Sequence, residues 1–267
     1  MKSTIRDVAK LAGVSLCTAS MALNGKSGVN EHTRARVLDA AKQLNYYPNH
    51  FARSLITKKS STIGLIVQNV SNPFFGRVVD SIKEELDQYG YNLLLGISNN
   101  IASEKKYVDE FIGRRVDGVL IVPSDESNPD LSHLYDLKKQ NIPFVFITTS
   151  YYGINSDCIA TDLSKGSYML TKHLIESGHK SIYHILGPKQ LSHSSTRMDG
   201  YIKAFNDNGL TYKNDWILET IPDYEHGYAA AGEIIKDTLP DAIMAINDFT
   251  AMGVLKYLKE KKIKVPE

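Results

Sequence analysis

The chain has two cysteines, Cys17 and Cys158, in 267 residues. Two do not make the disulfide framework of a small secreted domain, so both are expected to be free thiols of a reducing compartment. No apolar run approaches membrane-spanning length, and the N-terminal MKSTIRDVAK lacks the apolar core of a signal peptide. No membrane association is expected, and the cytoplasm is the expected location. Enzyme signatures are missing as well. There is no G-x-S-x-G elbow, no phosphate-cradling glycine loop and no H-x-x-x-H spacing. Asp125, Glu126, Asp162, His193 and Asp248 can be read as a carboxylate–histidine cluster, yet the eight histidines are scattered along the chain. Each histidine reads more simply as a surface or strand-end residue. No catalytic residue, metal ligand or cofactor is assigned.

Net charge is also nearly absent, at +1, but its distribution is lopsided. Residues 1–60 carry ten Lys/Arg and three Asp/Glu, a net of +7, whereas residues 61–267 carry a net of −6. A solvated charged helix face would not make a whole segment basic. A basic head on an acidic body is the electrostatic footprint of a nucleic-acid-binding segment joined to something else.

Within that head, IRDVAKLAGVSLCTASMALN (residues 5–24) predicts two short helices around a glycine. Thr4 can cap the first helix with Asp7 in capping-box register, and its apolar face runs through Val8, Ala9, Leu11 and Ala12. Gly13 supplies the left-handed turn, Ser15 caps the second helix, and Asn24-Gly25 ends it. Ala19, Ala22 and Leu23 face inward. The alternatives are an ordinary helical hairpin and a helix-turn-helix whose second helix enters a major groove. A third helix follows, capped by Asn30 with Glu31 in its first turn. Val37, Leu38, Ala41 and Leu44 form its apolar face, with Tyr46 and Tyr47 over a shared core. Pro48 breaks the chain. Asn49 to Leu55 is helix-forming but only about two turns long, too short to hold without a packing partner.

From Thr62 the pattern changes. Apolar runs TIGLIVQNV, YNLLLGIS, DGVLIVPS, IPFVFITT, CIATD, SIYHILGP, WILET and DAIMAIND alternate with helical stretches near 74–90, 103–114, 130–140, 164–178, 197–208, 226–238 and 248–261. Such alternation predicts open, mostly parallel sheets with helices on both faces. Strands from 62 to 149 are expected in one sheet and those from 158 onward in a second. Ligands bind beyond the carboxyl ends of parallel strands, so polar and aromatic residues just after each strand are candidates. Helix capping accounts for several of these equally well, Asn72 and Asp162 among them.

TIRDVAKLAGVSLCTASMALNG, VNEHTRARVLDAAKQLNYYPNHFARSL and TIGLIVQNVSNPFF resemble the start of a LacI/GalR-family transcriptional regulator. DGVLIVPS, IPFVFI, HLIESGHKSIYHILGP, STRMDGYIKAF and AINDFTAMGVLKYLKEKKIKVPE extend the likeness along the chain. The resemblance implies an all-α helix-turn-helix head (1–47, motif 5–24), a hinge helix and linker (48–61), and an α/β body of two periplasmic-binding-protein-like (type I) subdomains, 62–160 and 161–267. It implies a homodimer on double-stranded operator DNA, most simply a repressor. A small sugar-like effector between the subdomains would control operator affinity. Leu16, Cys17 and Met21 match base-reading positions; Thr4, Ser15, Thr18, Ser20 and Asn24 match other DNA-facing positions in the head. Tyr46 and Asn49 open the hinge, Leu55 matches its minor-groove wedge, and Ala52 packs beside that leucine. Arg197 and Asp248 match the main polar effector anchors, Phe74 and Phe75 pocket walls, and Asp162, His193 and Tyr224 further contact positions. The competing readings are a solute-binding protein and a truncated, non-functional regulator with a vestigial DNA head; the basic head argues against the first.

Departures from the family sharpen these expectations. Met21 stands where an arginine is usual, and Leu16 and Cys17 are poor hydrogen-bond donors, so the second helix can pack on thymine methyls but forms few bidentate bonds. Specificity is expected to lean on the hinge wedge and on DNA shape. Leu55→Ala should therefore weaken operator binding much more than Cys17→Ala, and equal losses in a titration at fixed salt would contradict this. Family members continue beyond V-P-E, whereas this sequence stops at Glu267. The second subdomain is thus expected to be incomplete, as a fragment or as an unusually short body; both stay open.

Overall fold

The computed structural model describes residues 3–47, 59–124, 130–189 and 191–266. The chain divides into two compact units, Met1–Ser61 and Thr62–Glu267.

The head is three helices, α1 (Ile5–Leu11), α2 (Leu16–Leu23) and α3 (Glu31–Gln43). The capping box forms: Asp7 N donates to Thr4 Oγ1 at 3.4 Å, and Thr4 N donates to the Asp7 carboxylate at 2.8 Å. Gly13 takes φ +62°. Ser15 Oγ accepts from Thr18 N at 3.1 Å, and Asn30 Oδ1 from Thr33 N at 2.7 Å. Val8, Ala9, Ala12, Ala19, Ala22, Val37, Ala40 and Ala41 make the core, with Ile5, Leu23, Leu44 and Tyr46 packed on it. Six alanines at the contact let short helices approach closely. Leu11, Leu38 and Tyr47 do not join this core; they are exposed. In α3 the inward row is 37, 40, 41 and 44, which turns residue 38 about 100° away; in α1 the row 5, 8, 9 and 12 does the same to residue 11.

The body opens with a parallel sheet of β1 (Thr62–Val67), β2 (Asn92–Ile97), β3 (Gly118–Ile121), β4 (Phe144–Ile147) and β5 (Asp157–Ile159), in the order β2-β1-β3-β4-β5. Helices α4 (Pro73–Gln88), α5 (Ile101–Gly113) and α6 (Ser132–Lys139) accompany it. Interior strand β1 is apolar in sequence because it is covered on both faces. Ile66 faces Val108, Phe111 and Ile121, while Leu65 and Val67 face Phe75, Val79 and Ile82. A Cβ on Gly64 would lie 2.4 Å from the Phe111 ring, so only glycine lets α5 seat there.

A second parallel sheet, in the order β7-β6-β8, holds β6 (Ile182–Leu186), β7 (Ile217–Glu219) and β8 (Ala242–Ala245). With it go α7 (Leu163–Glu176), α8 (Ser192–Asp207), α9 (Tyr224–Asp237) and α10 (Asp248–Glu260). Ile182, Tyr201, Phe205 and Met244 fill one face; Tyr183, Ile185, Ala231, Val254 and Leu258 fill the other.

One strand sits elsewhere than expected. β5 does not open the second sheet; it pairs with β4 in the register Val145↔Asp157 and Ile147↔Ile159. All three of its residues are exposed, so backbone pairing holds it, and an apolar pattern does not encode that. Among the described residues no helix is long and apolar enough to cross a membrane.

Candidate DNA interface and effector crevice

On α2, Leu16 and Cys17 are exposed and Met21 is half-buried. The polar side chains beside them also bond within their own helix and its caps. Ser15 Oγ and Thr18 Oγ1 lie 2.8 Å apart, and Asn24 Nδ2 donates to Ser20 O at 2.7 Å. Basic groups divide in the same way. Arg34 Nη2 donates to Lys26 O at 2.8 Å, and Arg36 to Ala12 O, which caps the carboxyl end of α1. Arg6 and Lys10 remain exposed. Tyr46 is a core-packing residue of the head in this structure. Asn49, Ala52 and Leu55, with the rest of 48–58, lie outside the described residues.

In the second sheet the strand order reverses between β6 and β8, and in open parallel sheets ligands bind beyond the carboxyl ends of the strands at such a reversal. His193 and Arg197 stand in the first turns of α8, after β6, and Asp248 is the first residue of α10, after β8. Arg197 Nη1 donates to His193 O at 3.0 Å. Burial lowers its pKa from the usual guanidinium range, and among the described residues no carboxylate pairs with it. Asp248 is exposed. Its neighbour Asn247 caps α10 through Thr250 N at 2.8 Å and donates to Pro222 O at 3.1 Å, tying the loop after β8 to the loop after β7. Tyr224, at the start of α9, has its ring 6.3 Å from that of Phe249. Two glycines set this spacing: a Cβ on Gly253 would lie 2.0 Å from Tyr224 O, and one on Gly227 2.3 Å from Thr250 O.

The first sheet reverses between β1 and β3. After β1, Asn72 caps α4, Pro73 starts it, and Phe74 and Phe75 meet edge to face at 5.1 Å. Phe74 is exposed, whereas Phe75 packs on the sheet. Asp162 accepts from Lys165 N at 2.8 Å, so its observed contact is the cap of α7.

The sequence patterns missed a buried polar network at the end of β3. Ser124 N donates to Tyr151 Oη at 2.7 Å and to Glu104 Oε2 at 3.2 Å, and Tyr151 Oη donates to Glu104 Oε2 at 2.8 Å. His133 Nε2 lies 2.8 Å from Glu104 Oε1, with both side chains fully buried. Burial, and then the Glu104 charge, push the Tyr151 phenol up, keeping it a donor. A second buried histidine, His184, lies mid-strand in β6 against Tyr201, with ring centroids 5.3 Å apart. Burial, and then Arg197, lower its pKa to about 3. The reading of the histidines as surface or strand-end residues is thus corrected at 133 and 184: one is hydrogen-bonded to a buried carboxylate, and the other fills an apolar layer. A polar residue inside an apolar run, as in SIYHIL, was the available signal for His184. Among the described residues no group of His, Cys, Asp and Glu is placed to hold a metal.

Residues 4–49 match the family model described as bacterial regulatory proteins, lacI family. Residues 60–267 match that of periplasmic binding proteins and the sugar binding domain of the LacI family. The chain belongs to the LacI family. Among its relatives is the HTH-type transcriptional repressor PurR of Pasteurella multocida, 35% identical over 267 residues, covering 99% of this chain and 79% of that protein. PurR of Haemophilus influenzae (strain PittEE) is 36% identical over 267 residues, with the same coverages, 99% and 79%. The fold matches the lac repressor dimer bound to operator and the anti-inducer ONPF, with a TM-score of 0.84 and 25% identity over 99% of this chain and 80% of that one. It also matches the transcriptional regulator CelR in complex with cellobiose, with a TM-score of 0.67 and 27% identity over 99% of this chain and 80% of that one. As a LacI-family protein, the chain is a DNA-binding transcriptional repressor with an effector-binding body.

Proposed function

We propose that this LacI-family repressor binds a two-fold operator as a homodimer, in the cytoplasm, and that a small polyhydroxylated effector in the crevice of the body alters its operator affinity. In this reading residues 1–47 are the DNA-binding head and 48–61 the hinge. Residues 62–160 and 161–267 are the two effector-binding subdomains. Thr4, Ser15, Thr18, Ser20, Asn24, Tyr46 and Asn49 hold the backbone and groove edges, Leu16, Cys17 and Met21 meet bases, and Leu55 beside Ala52 wedges between base steps. Phe74, Phe75, Asp162, His193, Arg197, Tyr224 and Asp248 line the effector site.

One observation carries the effector half of this proposal. Arg197, a partly buried guanidinium with no carboxylate partner among the described residues, follows β6 at a strand-order reversal, and an exposed carboxylate, Asp248, follows the adjacent strand β8. A fork of donors on one side and acceptors on the other suits a ligand rich in hydroxyl groups, with aromatic rings nearby to stack on it. The cellobiose complex of CelR is consistent with a sugar-like ligand. Control follows from linkage: the effector favours a body geometry that differs in its ability to pair the hinges, and a coupling of about 1–3 kcal/mol shifts operator affinity some 5- to 150-fold.

The test compares the wild type with Arg197→Met in operator titrations across a panel of sugars, sugar phosphates and nucleobases. The variant is expected to bind operator as the wild type does without ligand, and to lose the response to whichever compound shifts the wild type. A variant that keeps the full response contradicts the assignment of Arg197.

A further inference from the structure

We propose that α2 reads thymine methyl groups, so that each operator half-site places one or two A·T pairs, methyl side toward the protein, beneath Leu16 and Cys17. This rests on the reading of the chain as an operator-binding repressor and adds to it the chemistry of the bases read.

The argument is one of elimination on a single helix surface. A helix in the major groove distinguishes bases by donors and acceptors or by apolar contact with the thymine C5-methyl. The polar side chains of α2 and its caps are the ones assigned above to the DNA backbone and groove edges: the Ser15 and Thr18 hydroxyls lie 2.8 Å apart, one donating to the other, one Asn24 N–H goes to Ser20 O at 2.7 Å, and Ser20 completes the set. Met21 offers no donor, and it lies along the loop after α2: a Cβ on Gly28 would stand 3.2 Å from its Cε. What projects from the amino-terminal half of the helix is Leu16, 46% exposed, and the exposed Cys17. Neither is needed by the head core, which is made by Val8, Ala9, Ala12, Ala19, Ala22, Val37, Ala40 and Ala41. An exposed leucine at the tip of a helix that docks on DNA gains most where it covers a methyl group and least over the polar edge of a G·C pair.

The test uses the full 267-residue chain. Bound duplexes are selected from a random pool, and each dT of the selected operator is then replaced singly by dU, which removes the methyl and leaves base pairing intact. Binding is expected to weaken about fourfold at one or two thymines per half-site, the value for burying one methyl-sized apolar group. Replacing the same A·T pair by a G·C pair carrying 5-methyl-dC in place of the thymine should recover part of the loss, and unmethylated dC should not. In Leu16→Ala the dU penalty should vanish, with the far-UV spectrum unchanged because Leu16 lies outside the core. Operators whose dU forms all bind like the parent overturn the methyl reading and leave operator binding standing. A dU penalty that persists unchanged in both Leu16→Ala and Cys17→Ala also overturns it. A pool that enriches no duplex overturns the operator reading itself.

Discussion

His184 shows how a single residue makes stability depend on pH. Its ring is buried between β6 and Tyr201, with Arg197 alongside, and its pKa falls from 6.5 to about 3. The folded chain therefore holds His184 neutral where the unfolded chain protonates it. Between pH 6.5 and 3 the unfolded state binds the extra proton, so the contribution of His184 is intact above pH 6.5 and erodes as pH falls through that window. At pH 5 the erosion is about 2 kcal/mol. His184→Leu, an apolar residue on an apolar face, should flatten this acid limb. Urea denaturation at pH 7.5 and pH 5.0 should show a smaller stability loss for the variant than for the wild type; equal losses would contradict the assignment. The residue also marks the limit of pattern reading. Caps such as Thr4, Ser15, Asn30, Asn72 and Asp162 were legible because each acts on backbone within a few positions. Glu104, His133, Tyr151 and Ser124 meet across 20 to 47 positions, and no local period records that.

At the scale of elements, the crossing of α9 and α10 sets where Tyr224 and Asp248 stand. Gly227 and Gly253 let the two backbones touch, and a Cβ at 253 would sit 2.0 Å from Tyr224 O and 2.7 Å from Tyr228 N. Neither neighbour can yield, since both are backbone. Gly253→Ala should destabilise the body by about 1–3 kcal/mol, as overpacking does. Gly166, inside α7, has nothing within 4 Å of an added Cβ. Gly166→Ala should instead stabilise by about 0.5–1 kcal/mol through helix propensity. Denaturation midpoints of the two variants should thus move in opposite directions, and movement the same way would mean that the close approach does not govern the packing. Strand and helix alternation was readable because each element buries one periodic face. The start of α8 was not: it begins at Ser192, five residues before the expected 197, with Leu191 at its N-cap and no side-chain cap. That shift matters, because it puts His193 and Arg197 one turn apart on the same helix. β5 was misassigned for a similar reason, its place being fixed by backbone pairing alone.

For the whole molecule, the separation of charge makes a prediction that net charge does not. A chain of +1 treated as one body would bind DNA weakly and respond little to salt. Here the net +7 of residues 1–60 is balanced by the net −6 of residues 61–267. Charges more than about 10 Å apart are largely screened at 0.1 M salt, so the groups that touch phosphates set the salt dependence. What counts is the number of phosphates neutralised by the head. If each protomer of a dimer covers about three phosphates, log K should fall against log salt with a slope of about −5, close to a thousandfold between 50 and 200 mM. The basic residues divide on geometry. Arg6 and Lys10 are exposed on α1, whereas Arg34 and Arg36 bond the carbonyls of Lys26 and Ala12. Arg6→Ala should therefore flatten the slope by about one ion per protomer at unchanged head stability. Arg36→Ala should mainly lower the melting temperature of the head, because it frees the carbonyl end of α1. Anisotropy titrations at four salt concentrations measure the first effect and thermal unfolding the second. A slope shallower than about −1.5 for the wild type would mean that the basic head is not the surface that holds the duplex.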